Sequence, residues 1–125
     1  MAAVVVADDD PEIRHLVARI LRRCGHHVVT CDNGEQLLAT VRRQPPDVVV
    51  TDHQMPGLTG LGVLERLRRD PATAGIPVVV ASGSVGPDEV AAVFGAADRL
   101  LTKPFTTAQL RETVEDVLRR RATTG

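Results

Sequence analysis

Short Val-rich apolar runs alternate along the chain with longer stretches in which apolar residues recur every three or four positions. The runs Ala3–Ala7, His27–Cys31, 47–51, 77–81 and Arg99–Thr102 have the length and β-branched content of strands. The central three read as near-continuous hydrophobic runs, which marks strands buried on both faces and hence a parallel sheet between helical layers. Ile13, Leu16, Val17, Ile20 and Leu21 share one helical face. Asp10 is the predicted N-cap of that helix, Pro11 its first residue and Cys24-Gly25 its stop. A second helix opens after Asp32-Asn33-Gly34, carries Leu37, Leu38 and Val41, and ends before Pro45-Pro46. A third runs from about Gly60 through Leu61, Leu64 and Leu67 to Asp70-Pro71. A fourth, short and flanked by Gly83, Gly86 and Gly95, covers residues 87–94. The fifth starts at a Thr106 cap and carries Leu110, Val114, Val117 and Leu118, its end fraying through Arg119-Arg120-Arg121.

The order βαβαβαβαβα, with right-handed crossovers, predicts a doubly wound α/β sandwich with five parallel strands and five helices. The favoured strand order is 2-1-3-4-5, whose chain direction reverses between strands 1 and 3. Ligands in such sheets bind beyond the carboxyl ends of the strands at that switch point.

Composition narrows the class. At 125 residues the chain predicts a single domain spanning 1–125, with no repeat or linker. It is 43% hydrophobic and 25% charged, as soluble globular proteins are, and its net charge of −1 argues against wrapping nucleic acid or lying on an anionic membrane. No run approaches a membrane span of roughly 20 apolar residues, and no basic-flanked secretory signal is present. With only Cys24 and Cys31, read as small buried hydrophobes, the cytoplasm is the expected location. Phe94 and Phe105 are the only aromatics, so the core must be aliphatic.

The residues that close the strands carry the chemistry. Asp8-Asp9-Asp10 follow strand 1, Asp52 follows strand 3, Ser82 strand 4 and Lys103-Pro104 strand 5. Taken singly, each has an ordinary reading: an acidic helix start, an Asx turn, a strand-to-loop serine, a solvated lysine. Together, four polar groups of complementary chemistry close four strands on one edge. Two carboxylates ~4 Å apart repel by about 4 kcal/mol at an effective dielectric of ~20, so such a cluster takes up protons or holds a cation. Mg²⁺ is the natural tenant, since it uses few carboxylates and keeps several waters. Mg²⁺, an ammonium and a hydroxyl are what a transferring phosphoryl group needs around its oxygens, and a carboxylate beside the metal can be the nucleophile.

These residues resemble the bacterial response-regulator receiver family over essentially the whole chain. The matching pieces are Val4-Val5-Val6-Ala7-Asp8-Asp9-Asp10-Pro11-Glu12-Ile13-Arg14, Asp47 through Asp52-His53-Gln54-Met55-Pro56-Gly57 to Gly60, Val78 to Ser82-Gly83, and Leu101-Thr102-Lys103-Pro104-Phe105. The resemblance implies a flavodoxin-like, chemotaxis-regulator-like fold. It implies that Asp52 accepts a phosphoryl group from a histidine of a partner kinase or phosphotransfer protein. Asp8, Asp9, Asp52 and the backbone carbonyl of Gln54 would hold Mg²⁺, with Asp10 left as a helix cap. Ser82 and Lys103 would engage the phosphoryl oxygens, and the Lys103–Pro104 peptide would be cis. The output surface would be the fourth helix, fifth strand and fifth helix, acting on a downstream protein or output domain, as a monomer or a phosphorylation-dependent dimer.

Leu100 stands where many members carry an aromatic, and Thr59 where many carry Asp. His53, Gln54 and Ser84 flank the path of an attacking water and are candidates for tuning its rate, whereas His15, His26 and His27 read as surface residues. Three alternatives frame the reading. A Mg²⁺-dependent aspartyl phosphatase of the haloacid-dehalogenase type would need Asp-x-Asp-x-Thr/Val after strand 1, which Asp8-Asp9-Asp10-Pro11-Glu12 lacks. A scaffolding pseudo-receiver would usually lack one of the site residues. The third is a receiver that forms the N-terminal part of a transcription factor or hybrid kinase.

Overall fold

In a computed structural model of the chain, residues 2–83, 88, 89, 94, 95 and 98–124 are described. They form β1 (Ala3–Ala7), α1 (Pro11–Arg23), β2 (His27–Cys31), α2 (Gly34–Arg43), β3 (Val48–Asp52), α3 (Gly60–Arg69), β4 (Val78–Ser82), β5 (Arg99–Thr102) and α4 (Thr107–Thr124). All strand pairs are parallel, in the order β2-β1-β3-β4-β5, so the predicted topology and switch point hold. Four helices stand among the described residues. The helix expected over 87–94 lies outside them except for Asp88, Glu89 and Phe94, as do Ser84 and Gly86.

Local chemistry sets the boundaries. Asp10 caps α1 by accepting from the Glu12 and Ile13 amides, and Gly25 turns the chain out with φ 92°. Asn33 caps α2 through the Gln36 amide, so Gly34 is its first helical residue. Thr106 opens α4 with a capping box: its hydroxyl accepts from the Gln109 amide, and the Gln109 side chain accepts from the Thr106 amide. The helix continues to Thr124, further than a fraying end at Arg119–Arg121 suggests. β3 and β4 each begin and end one residue later than their apolar runs, because the ladder includes Asp52 (paired with Ala81) and Ser82 (paired with Thr102). The site residues therefore sit in the last strand positions, held by sheet geometry.

Alternation along the strands splits the core into two aliphatic layers. Val5, Val49, Val78 and Val80 pack with Leu37, Leu38 and Val41 of α2 and Val63, Leu64 and Leu67 of α3. Val4, Val6, Val50 and Val79 pack with Val17 and Leu21 of α1 and Leu110, Val114 and Val117 of α4. β3 and β4 are buried throughout and β1 all but Ala3, whereas β2 and β5 at the edges are partly exposed. A buried Val or Leu contributes about 1.5–3 kcal/mol, and this double layer anchors the strand ends that carry the polar groups. Cys31 is buried, but Cys24 is half-exposed at the α1 C-cap, which corrects its reading as a core residue. His26 is half-buried rather than a free surface residue, its Nδ1 accepting from the Ala2 amide at 3.2 Å. Among the described residues no helix is long and apolar enough to cross a membrane.

Candidate functional site

Where β1, β3 and β5 end, four charged side chains meet. Asp8 and Asp52 are buried, 5% and 7% exposed, while Asp9 is exposed. One carboxylate oxygen from each of the three lies within 4.8 Å of the others. The Lys103 ammonium stands 3.2 Å from Asp52 Oδ1 and 3.5 Å from Asp8 Oδ2. Lys103 reaches in from the residue after β5, across a cis Lys103–Pro104 peptide, and its amide donates to the Ser82 carbonyl at 3.1 Å. Ser82 is itself buried at the end of β4. Gln54 is exposed, two residues past Asp52.

Asp8 is fixed from three directions. Its amide donates to the Cys31 carbonyl, its Oδ1 accepts from the Asp10 amide at 2.9 Å, and its carbonyl accepts from Arg14 Nη1 at 2.9 Å. Burial pushes the Asp8 carboxyl above its ordinary pKa of 3.8, and the neighbouring Asp52 charge adds to this, against the Asp10 amide and Lys103, which pull it down. Asp10 is turned away as the α1 cap, as expected.

A divalent cation fits this arrangement. The donors are three hard carboxylate oxygens, two of them on buried side chains, and one ammonium cannot balance three acids. An open groove of about 610 Å³ lined by Asp9, Asp32, Asn33, Glu35, Pro56 and Gly57 adjoins Asp9, and its acidic rim raises local cation concentration.

The loop after β3 is closed by contacts that sequence reasoning did not anticipate. The His53 carbonyl accepts from the Gly60 amide at 2.9 Å, and His53 Nδ1 accepts from the Leu61 amide at 3.3 Å. Thr59 Oγ1 accepts from the Gly62 amide at 3.1 Å and so caps α3. A β-carbon on Gly60 would lie 2.5 Å from the Asp52 carbonyl oxygen, so only glycine lets α3 start this close to the site. Gly57 turns the loop at φ 77°. The signal for Gly60 is a glycine opening a helix, where Thr59 already supplies the cap. No local pattern reveals the His53 ring contact or the Arg14 contact to Asp8.

The fold and this edge chemistry agree with comparison to known proteins. The family described as "Response regulator receiver domain" matches residues 4–115. The chain is 34% identical over 121 residues to the protein PilH of Pseudomonas aeruginosa, covering 94% of this chain and 98% of that one. It is 37% identical over 122 residues to the transcriptional regulatory protein PrrA of Mycobacterium bovis, covering 98% of this chain but 52% of PrrA. The chain spans about half the length of several such transcriptional regulators, among them PhoB of Pseudomonas aeruginosa at 52%. Among solved structures, the chemotaxis response regulator CheY4 of Vibrio cholerae superposes with a TM-score of 0.84 at 31% identity, covering 94% of this chain and 98% of that one. A receiver domain protein from Clostridium thermocellum gives 0.88 at 26% identity over the whole of both chains. With the family's domain matched over 112 consecutive positions (4 to 115) and its acidic edge assembled in space, this chain belongs to the response regulator receiver domain family.

Proposed function

We propose that residues 1–125 act as one cytoplasmic receiver that takes a phosphoryl group onto Asp52. The observation that carries this is the convergence of the Asp8, Asp9 and Asp52 carboxylates within 4.8 Å, with Lys103 Nζ 3.2 Å from Asp52. The chain is a signalling switch rather than an enzyme with a turnover substrate.

An Asp52 carboxylate oxygen attacks phosphorus in line with the leaving group. The P–N bond to the donor imidazole of a partner histidine kinase or phosphotransfer protein breaks, and its electron pair returns to that ring, which takes a proton. When bound, Mg²⁺ supplies the positive charge that offsets repulsion between the anionic nucleophile and the anionic phosphoryl oxygens. Asp8, Asp9, Asp52 and the Gln54 carbonyl are the ligands proposed for it. Lys103 holds Asp52 in place beforehand and pairs with a phosphoryl oxygen afterwards, and the Ser82 hydroxyl donates to another. Hydrolysis of the acyl phosphate by water restores the carboxylate and resets the switch slowly.

Phosphorylation changes position 52 from about −1 to about −2 and adds acceptor oxygens. Ser82 and Lys103 end β4 and start the β5–α4 connection, so their new bonds bias β5 and α4. Leu100 lies on that surface, 36% exposed, and takes the place of an aromatic reporter. The apolar groove of about 400 Å³ formed by Ile13, Leu16, Val17, Pro104 and Phe105 beside Lys103 offers the donor protein a surface next to the site. The signal passes on to a downstream protein or an output domain, and transcriptional regulation is the second reading, since PrrA, 37% identical, is a transcriptional regulatory protein.

The test is intact-mass analysis after incubation with acetyl phosphate and Mg²⁺. One added phosphoryl group, about 80 Da, is expected on the wild type and none on Asp52→Ala or after chelation of the metal. Multiple turnovers of p-nitrophenyl phosphate lost on Asp8→Asn would instead support the phosphatase alternative.

A further inference from the structure

We infer that His53 is a positioning residue for the Asp52 centre, locking the β3–α3 loop by accepting the Leu61 amide through its ring, and that it does not serve as a base toward water. The inference rests on the phosphoacceptor reading of Asp52 and specifies how that site is held. The first three amides of α3 have no partner within the helix and must find one elsewhere. Two of them end on this single residue: Gly60 N–H on the His53 carbonyl at 2.9 Å and Leu61 N–H on Nδ1 at 3.3 Å. The third, Gly62 N–H, ends on Thr59 Oγ1 at 3.1 Å. Residues 53–60 therefore form a ring, closed where the Gly60 and Leu61 amides both meet His53, directly after Asp52 and enclosing Gln54. Gly60 tightens it, since any β-carbon there would fall 2.5 Å from the Asp52 carbonyl oxygen and 2.8 Å from the His53 α-carbon.

The chemistry of the ring decides its role. A neutral imidazole has one donor nitrogen and one acceptor nitrogen. With Nδ1 accepting from Leu61, Nε2 carries the proton, and the ring has no lone pair left with which to deprotonate water. What it supplies is geometry: the loop that bears the proposed Gln54 ligand is held to α3 before any metal arrives.

Nuclear magnetic resonance of the metal-free protein and calorimetric titration with Mg²⁺ test this on wild type, His53→Ala and His53→Asn, because an Asn oxygen reaches an amide where Nδ1 does. The wild type should show the Nε2–H tautomer and slow exchange of the Leu61 amide. In His53→Ala that amide should exchange at least about tenfold faster and Mg²⁺ affinity should fall about fivefold, while His53→Asn stays within about twofold of wild type on both. Equal Leu61 exchange in wild type and His53→Ala overturns the inference. So does faster exchange with an unchanged Mg²⁺ isotherm, or an Asn variant as impaired as Ala. Mg²⁺ binding without any label on Asp52 ends the functional reading alone, whereas a wild type that binds no Mg²⁺ ends both.

Discussion

Opposite edges of one sheet each bury an acid against a base, and they do so to different ends. At the amino edge, Asp98 has a fully buried side chain that accepts from the Val78 amide at 3.0 Å and the Gly95 amide at 2.7 Å and pairs with Arg68. Arg68 also donates to the Ile76 carbonyl at 2.9 Å. This carboxylate has three donors and one matching charge. At the carboxyl edge, Asp8, Asp9 and Asp52 crowd within 4.8 Å and share a single ammonium. The first cluster is saturated and ties α3 to the starts of β4 and β5. The second carries an excess of negative charge that the fold tolerates, and that excess gives a cation and a phosphoryl group something to bind. A buried charge whose partners are complete is structure; one left short of partners is a site.

Breaking the saturated cluster should have the largest effect. Asp98→Ala leaves the Val78 and Gly95 amides and the Arg68 guanidinium without their acceptor, and should cost about 3–5 kcal/mol in urea denaturation. A loss below about 1 kcal/mol would mean that the amino-edge cluster is not structural. Relieving the unsaturated cluster should act on binding instead. Lys103→Ala removes the charge competing for the Asp8 and Asp52 oxygens and should tighten Mg²⁺ about tenfold by calorimetry, while slowing labelling by acetyl phosphate. Weaker Mg²⁺ binding in that variant would contradict the charge excess.

The smallest effect lies in pH. Asp8 keeps its proton to higher pH in the folded chain than its ordinary 3.8, so between 3.8 and its raised value the folded state binds more protons than the unfolded one. Stability of the metal-free protein therefore falls as pH rises through that window, and Asp8→Asn should remove this slope from the thermal midpoint measured against pH. Asp116 runs the other way: the bond from Arg99 lowers its pKa, so its contribution is present above 3.8 and is lost as pH falls toward the lowered value. A wild-type midpoint that only falls on acidification, with Asp8→Asn unchanged from it, would remove Asp8 from the account.

The two edges also differ in how far the sequence revealed them. Asp8, Asp9, Asp52 and Lys103 were legible because each ends a recognisable apolar run, and parallel strands must bring such ends to one edge. The Asp10 and Thr106 caps follow from local rules, and the strand order from the preferred topology of a doubly wound sheet. Asp98 and Arg68 were not legible, since they pair across 30 residues and neither breaks a hydrophobic period. The ring of His53 escaped for a similar reason: its partner is chosen by the turn of a loop at Gly57 and by the close approach at Gly60, neither of which has a periodic signature. Cys24 is half-exposed because it stands at the α1 C-cap, beyond Leu21, the last buried residue of that helix.

Borohydride reduction of acetyl-phosphate-treated protein, followed by peptide mapping, most directly tests whether the unsaturated edge is a phosphoacceptor. An acyl phosphate on Asp52 is reduced to homoserine at position 52, in amounts that depend on Mg²⁺ and disappear with a chelator. Label on a serine, threonine or histidine, or homoserine formed equally without any divalent ion, would contradict the account.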